Sequence, residues 1–268
     1  MNMRRLIYQV YTGKRSALYD HCTASVKAYA NRIGAEYIIQ RVPILMIKPD
    51  PFTSNRSKES YEKYGGFLPI YEKENALGYL TDYDQVAIID ADIWIRPECD
   101  ESIFEAVGTN VDFGGVIERD MPLTPQYDRK VANYSRMKYG MAGINHLFDW
   151  KCPKGRGADF YNMGLMVLNK SVLKYLGGMT PLEFLTQPKF KPFIDGEGAW
   201  KWSTDQTLLN VWVKHEKMKV KNLSFKWNGL YTAIEASCMK EVNFVHFFLK
   251  DKLPDDGENV PELMNCVA

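Results

Sequence analysis

The sequence predicts an α/β fold built on a parallel sheet, with the ligand crevice at the carboxyl ends of the strands. Three observations carry this. Residues 6–11 read as a strand, 16–34 as a helix opened by Ser16 and closed by Gly34, and 36–42 as a second strand, which together begin a βαβ unit. Residues 86–95 form an apolar run that two carboxylates, Asp90 and Asp92, interrupt. Strand-like runs at 111–117, 160–168 and 242–249 then alternate with helical stretches.

Taken in order, Tyr11, Thr12 and Gly13 end the first strand and so stand at the crevice edge. Residues 43–66 are broken by prolines among Ser, Asn and Lys, and read as an irregular excursion within a domain. Helical spacing at Leu68, Tyr71, Asn75 and Tyr79 predicts a helix leading into the central strand, and a short capped helix follows at 100–107. Residues 118–159 lack sustained periodicity and are expected to be loops or small helices over a site. A helix is expected at 181–185, and another opens at Asp205-Gln206 with Ser203 or Thr204 as cap. The stretch 255–268 reads as a surface tail.

Composition narrows the function classes. The chain has 268 residues, enough for one large α/β domain or two small ones, and 46% are hydrophobic. With 34 basic and 33 acidic side chains, the net charge of +1 gives no argument for nucleic acid or a membrane surface. Five cysteines, odd in number and without a Cys-x-x-Cys pair, disfavour a disulfide framework and a zinc knuckle. No apolar run approaches the ~18 residues of a membrane span, so a cytoplasmic protein without a transmembrane segment is expected.

The carboxylate pair needs a physical reason, because an ionised group in an apolar run is costly unless paired or holding a metal. Residues two apart on a strand lie roughly 7 Å apart on one side, close enough for one hard cation to engage both. Read alone, Asp90-x-Asp92 is also compatible with a solvated strand end. Asn162-Met163-Gly164 is equally a strand with a glycine bulge, and Asp205 is an acidic residue suited to a helix N-terminus. His246 sits on an apolar strand, where histidine is more often a core residue, but as a third ligand its imidazole would suit Mn²⁺ better than Mg²⁺ or Ca²⁺.

The order Tyr11-Thr12-Gly13, Asp90-Ala91-Asp92, Phe160-Tyr161-Asn162-Met163-Gly164, Asp205-Gln206 and His246-Phe247 with Lys252 resembles the GT-A glycosyltransferases, specifically the retaining, glycogenin-like and bacterial galactosyltransferase family. The resemblance implies a single GT-A domain over 1–254, with a Rossmann-like, mostly parallel central sheet flanked by helices. It implies Mn²⁺, with Mg²⁺ as the substitute, held by Asp90, Asp92 and His246. Tyr11, Thr12, Gly13, Lys73, Gly164 and Lys252 would contact the nucleotide-sugar donor. Asn162, Asp205 and Gln206 would face the donor sugar and a glycan or other hydroxyl acceptor. Leu249 stands where the family has glycine and Pro254 falls one place late, so the closing loop is expected to be built differently, with Lys250 as a substitute for Lys252.

The implied activity is metal-dependent transfer of a sugar from a nucleotide-diphosphate donor, UDP-linked, with retention of anomeric configuration. Two other classes compete. An Asp-x-Asp phosphohydrolase generally wants Thr or Gly soon after the second aspartate, where Ile93-Trp94 stands here. A non-catalytic nucleotide-sugar-binding module would bind without turnover.

Overall fold

The computed structural model describes residues 3–50, 65–141, 159–197, 200 and 204–267. Among the described residues, nine strands form two sheets: β1 (Arg5–Val10), β2 (Glu36–Gln40), β3 (Gln85–Ile89), β4 (Ile93–Ile95), β5 (Phe113–Ile117), β6 (Tyr161–Asn169), β7 (Val220–Leu223), β8 (Gly229–Leu230) and β9 (Phe244–His246). The larger sheet has the order β2-β1-β3-β6-β5-β7 and the smaller β4-β9-β8. In the larger, β1 is parallel to β2 and β3, β5 is parallel to β7, and β6 runs antiparallel to both β3 and β5. The expected α/β fold with a mostly parallel sheet is therefore present, with β6 as the reversed strand.

Both faces of this sheet are covered, which is why β3 and β6 read as continuous apolar runs and not as alternating ones. Ile7, Ala87, Ile89, Leu165 and Val167 face one core with the helix Ala17–Arg32. Their neighbours Leu6, Tyr8, Val86, Ile88, Met166 and Leu168 face a second core, completed by Tyr71, Leu77, Phe184, Leu208 and Trp212. The helix Asp205–His215 and the segment Pro69–Thr81 belong to that second face.

Several expectations change. Pro69–Thr81 is a 3₁₀ helix, tighter than an α-helix, and buries Glu72, Lys73 and Glu74 together. Ser16 is the N-cap residue of Ala17–Arg32, but its side chain makes no cap bond. Glu258 supplies that function from the other end of the chain, accepting from Ser16 Oγ at 2.8 Å and from the Ala17 amide at 2.8 Å. Thr204 likewise caps Asp205–His215 by backbone alone, and Ser203 lies outside the described residues. In the interval 118–159, Pro125–Met141 is one continuous α-helix where loops or small helices were expected, and 142–158 lie outside the described residues. Most of the 43–66 excursion, residues 51–64, also lies outside them. The helix Pro181–Leu185 forms as expected, with Thr180 and Glu183 in a reciprocal capping box. The 255–268 stretch is more than a surface tail: helix Val260–Val267 drives Leu263 and Val267 into the first core.

Candidate metal and donor site

The site lies where the two sheets meet. β3 ends at Ile89, and the Asp90 amide donates to the Gly164 carbonyl at 2.8 Å, still within the ladder to β6. The chain then turns, with the Ile93 amide returning to the Asp90 carbonyl at 3.2 Å, and enters β4. Asp90 and Asp92 therefore occupy a tight turn between two sheets. The expectation that strand alternation brings them together is corrected: the turn does. β4 pairs antiparallel with β9 so that Ile93 stands opposite His246, and the Phe247 amide donates to the Asp92 carbonyl at 2.9 Å. That register carries the imidazole to the carboxylates.

One ligand atom from each of Asp90, Asp92 and His246 lies within 4.8 Å of the others. His246 Nε2 is 3.3 Å from Asp92 Oδ1, and the imidazole is nearly buried. Burial alone would raise the Asp92 carboxyl and lower the imidazole, but each outweighs this for the other, so Asp92 sits below the usual carboxylate range and His246 above the usual imidazole one. Asp92 Oδ1 is buried and accepts no hydrogen bond among the described residues. Two carboxylate oxygens and one imidazole nitrogen grouped within 4.8 Å, with the buried Asp92 Oδ1 accepting from no other described residue, fit a divalent cation.

Lys73 anchors the other side. Its ammonium lies 2.7 Å from Asp205 Oδ2 and 3.0 Å from Asp90 Oδ1, and donates to the Met163 carbonyl at 2.9 Å. Burial alone would lower this lysine, but Asp205 and Asp90 outweigh it and hold it charged. The register shift between β5 and β6 skips residues 163–165, which leaves the Met163 carbonyl for Lys73. The resemblance implies a donor contact for Lys73; in the structure its ammonium ties Asp90 and Asp205 together.

Gly164 is glycine for a steric reason. A β-carbon there would come within 2.7 Å of His246 Nδ1 and 3.0 Å of Asn162 Oδ1, so the imidazole occupies the space a side chain would take. Asn162 is buried and its carboxamide is engaged within the protein: Nδ2 donates to Glu118 Oε1 at 2.9 Å, and Oδ1 accepts from the Gly164 amide at 3.0 Å. Gln206 donates to the same Glu118 oxygen at 2.9 Å and stays half-buried. Asp205, by contrast, is only 2% exposed.

Glu118 and Asn228 went unnoticed in the sequence. Asn228 Nδ2 donates to Asn162 Oδ1 at 2.9 Å, and its Oδ1 stands 3.0 Å from His246 Nδ1. Its sequence signal is no more than a polar residue between Trp227 and Gly229. Burial pushes the Glu118 carboxyl up, against the two amides that donate to it.

At the β1 edge, Tyr11 is buried at 5% exposure, accepts from the Ser16 amide at 2.6 Å, and lies under the Arg41 guanidinium at 4.3 Å. Tyr11 fixes the loop. Thr12 is half-buried and Gly13 exposed beside it, and a β-carbon on Gly13 would meet nothing within 4 Å. Lys252 donates to Tyr127 Oη at 3.2 Å, on the helix Pro125–Met141, and Lys250 donates to Ser16 Oγ at 2.9 Å. The structure thus engages both lysines away from Asp90, Asp92 and His246. Leu249 takes the left-handed conformation, φ 59° and ψ 62°, which is the backbone glycine favours. A cavity of about 320 Å³ lies elsewhere, lined by Leu45, Ile47, Leu182, Leu185 and Lys191, and includes none of the site residues.

No protein-family model and no curated protein matches the chain. Solved structures do. The chain is similar to apo mouse xyloside xylosyltransferase 1, with a TM-score of 0.52, 13% identity, and 94% of this chain and 99% of that one covered. It is similar also to the galactosyltransferase LgtC in complex with donor and acceptor sugar analogs, with a TM-score of 0.52, 12% identity, and 98% and 95% covered. The fold is that of the GT-A glycosyltransferases. Within this GT-A fold the turn between β3 and β4 carries the acidic pair, at the carboxyl end of a central strand as parallel sheets place their ligands. Among the described residues, no helix is long and apolar enough to cross a membrane.

Proposed function

We propose that the protein is a glycosyltransferase that moves a sugar from a UDP-linked donor to a hydroxyl acceptor, with Mn²⁺ held by Asp90, Asp92 and His246. The observation that carries this reading is that one ligand atom of each of these residues lies within 4.8 Å of the others. The likeness to a galactosyltransferase studied with donor and acceptor sugar analogs supports a nucleotide-sugar donor and a sugar acceptor.

Breaking the anomeric C–O bond builds negative charge on the diphosphate, and a bound divalent cation supplies the Lewis acid that stabilises it there. The chain's own residues do the rest. Lys73 pairs with Asp90 Oδ1 and so fixes the orientation of that carboxylate before a donor binds. Thr12 and Gly13 offer open backbone at the β1 edge for the nucleoside. Gln206, half-buried with its amide pinned by Glu118, is the group we assign to the donor sugar, while Asn162 and Asp205 hold the wall behind it. With retention as the resemblance implies, and Asp205 already paired with Lys73, we infer front-face attack without a protein nucleophile.

Incubation with UDP-sugars, Mn²⁺ and a panel of sugar acceptors tests this. Transfer giving the donor's own anomeric configuration by NMR is expected, and an inverted product would remove the retention assignment. Hydrolysis of an aryl phosphate at the same site would favour a phosphohydrolase instead.

A further inference from the structure

Hydrogen-bond direction can be followed through the buried amides from Glu118 to His246. Glu118 Oε1 accepts from both Asn162 Nδ2 and Gln206 Nε2, each at 2.9 Å. With Asn162 Nδ2 committed there, its oxygen faces the other way, where the Gly164 amide donates to it at 3.0 Å. A backbone N–H cannot reverse its role, so the orientation of Asn162 is fixed from both ends. Asn162 Oδ1 can then only accept from Asn228, which presents Nδ2 at 2.9 Å. That turns Asn228 Oδ1 toward His246 Nδ1 at 3.0 Å. An oxygen can only accept, so this bond forms only with Nδ1 as the protonated ring nitrogen. The lone pair of the neutral ring is left on Nε2, the atom that faces Asp92.

We propose that Asn228 is a positioning residue that holds neutral His246 in its Nδ1-protonated tautomer, with Glu118 and Asn162 setting the direction, so that Nε2 is presented to the cation. The relevance to catalysis rests on the metal reading given above, whereas the tautomer is a property of the metal-free protein. All of Asn162, Asn228 and His246 are buried, with Asn228 fully so, and water does not compete for these bonds. Partners that orient metal-bound histidines in this way typically change metal affinity by about 10–100-fold when removed.

The test is a long-range ¹H–¹⁵N NMR spectrum of metal-free protein at alkaline pH, where the imidazole is neutral, with the His246 signals assigned by subtraction of a His246→Gln spectrum. The wild type should show Nδ1 protonated and Nε2 bare. Asn228→Leu should lose this preference and bind Mn²⁺ at least about tenfold more weakly by electron paramagnetic resonance. Asn228→Asp keeps an acceptor for Nδ1–H but sets a carboxylate against Asn162 Oδ1, so it should lose stability as the leucine variant does and yet keep the tautomer. That split separates positioning from mere packing. A wild-type ring protonated on Nε2, or a leucine variant with an unchanged tautomer, overturns the inference. If the tautomers behave as stated but wild type fails to bind Mn²⁺, the positioning stands and the cation reading falls.

Discussion

His246 packs on Gly164 so closely that a β-carbon on the glycine would come within 2.7 Å of the imidazole Nδ1. Gly164→Ala should therefore displace the ring, since the opposite side of His246 is closed by β4 and Asp92. Overpacking of this kind costs about 1–3 kcal/mol of stability. The variant should remain folded by circular dichroism while its Mn²⁺ affinity falls more than about tenfold, because the third ligand has moved. Unchanged metal affinity would mean that His246 is not a ligand.

Lys73 holds two carboxylates in a nearly water-free position, so its loss should be expensive. Lys73→Met leaves Asp205, with a 3% exposed side chain, as an uncompensated buried charge, and such a break costs about 3–5 kcal/mol. Urea denaturation should show that loss, and Lys73→Met with Asp205→Leu should recover much of it. Equal loss in the double variant would indicate that Lys73 acts through Asp90 and the Met163 carbonyl and not through Asp205.

Glu74 is buried beside Trp212, and neither its carboxyl oxygens nor the Trp212 indole nitrogen finds a hydrogen-bond partner among the described residues. Burial pushes this carboxyl well above its ordinary value of 4.5, with Asp205 adding to the shift. A group protonated in the folded state but ionised in the unfolded one favours unfolding once pH rises above the unfolded value. Glu74→Met should thus be more stable than wild type by about 1–3 kcal/mol near neutrality. The difference should shrink as pH falls through about 4.5, where the unfolded carboxyl also protonates. Thermal melts of both proteins across that range check the sign, and a gain that grows on acidification would refute it.

Leu249 is held at φ 59°, where a non-glycine residue pays about 1–2 kcal/mol in the left-handed conformation. Leu249→Gly should remove that cost while loosening the unfolded chain by about 0.5–1 kcal/mol, leaving stability nearly unchanged or slightly higher. Leu249→Ile should be worse than wild type, since β-branching disfavours this backbone further. A chemical-denaturation series over the three proteins orders them, and the reverse order would show that the side chain at 249, 39% exposed, contributes packing that outweighs the backbone.

The sheet was legible because β1, β3 and β6 are buried on both faces and so are largely apolar, and the acidic pair was legible because it broke such a run. What stayed hidden depended on partners distant in the chain. Glu258 caps a helix 242 residues away, and nothing near it in sequence marks a cap. Asn228 and Glu118 are single polar residues whose meaning comes only from the bonds they make across strands. The spacing at Leu68, Tyr71, Asn75 and Tyr79 is that of an α-helix with 3.6 residues per turn, whereas Pro69–Thr81 folds as a 3₁₀ helix with three, a difference the spacing does not show. Leu249 looked like a departure from a glycine pattern, yet its backbone takes the conformation glycine would.

The central claim is that Asp90, Asp92 and His246 hold a divalent cation that binds a nucleotide diphosphate. Thermal unfolding of wild type and Asp92→Ala, each with UDP, Mn²⁺, both or neither, tests it most directly. Saturating ligand at about 100 times its dissociation constant stabilises a protein by about 2.7 kcal/mol, a shift readily seen. The account predicts that UDP stabilises wild type only when Mn²⁺ is present, and that Asp92→Ala melts near wild type alone but gains nothing from the pair. Equal stabilisation of wild type by UDP with and without Mn²⁺, or a full response in Asp92→Ala, would contradict it.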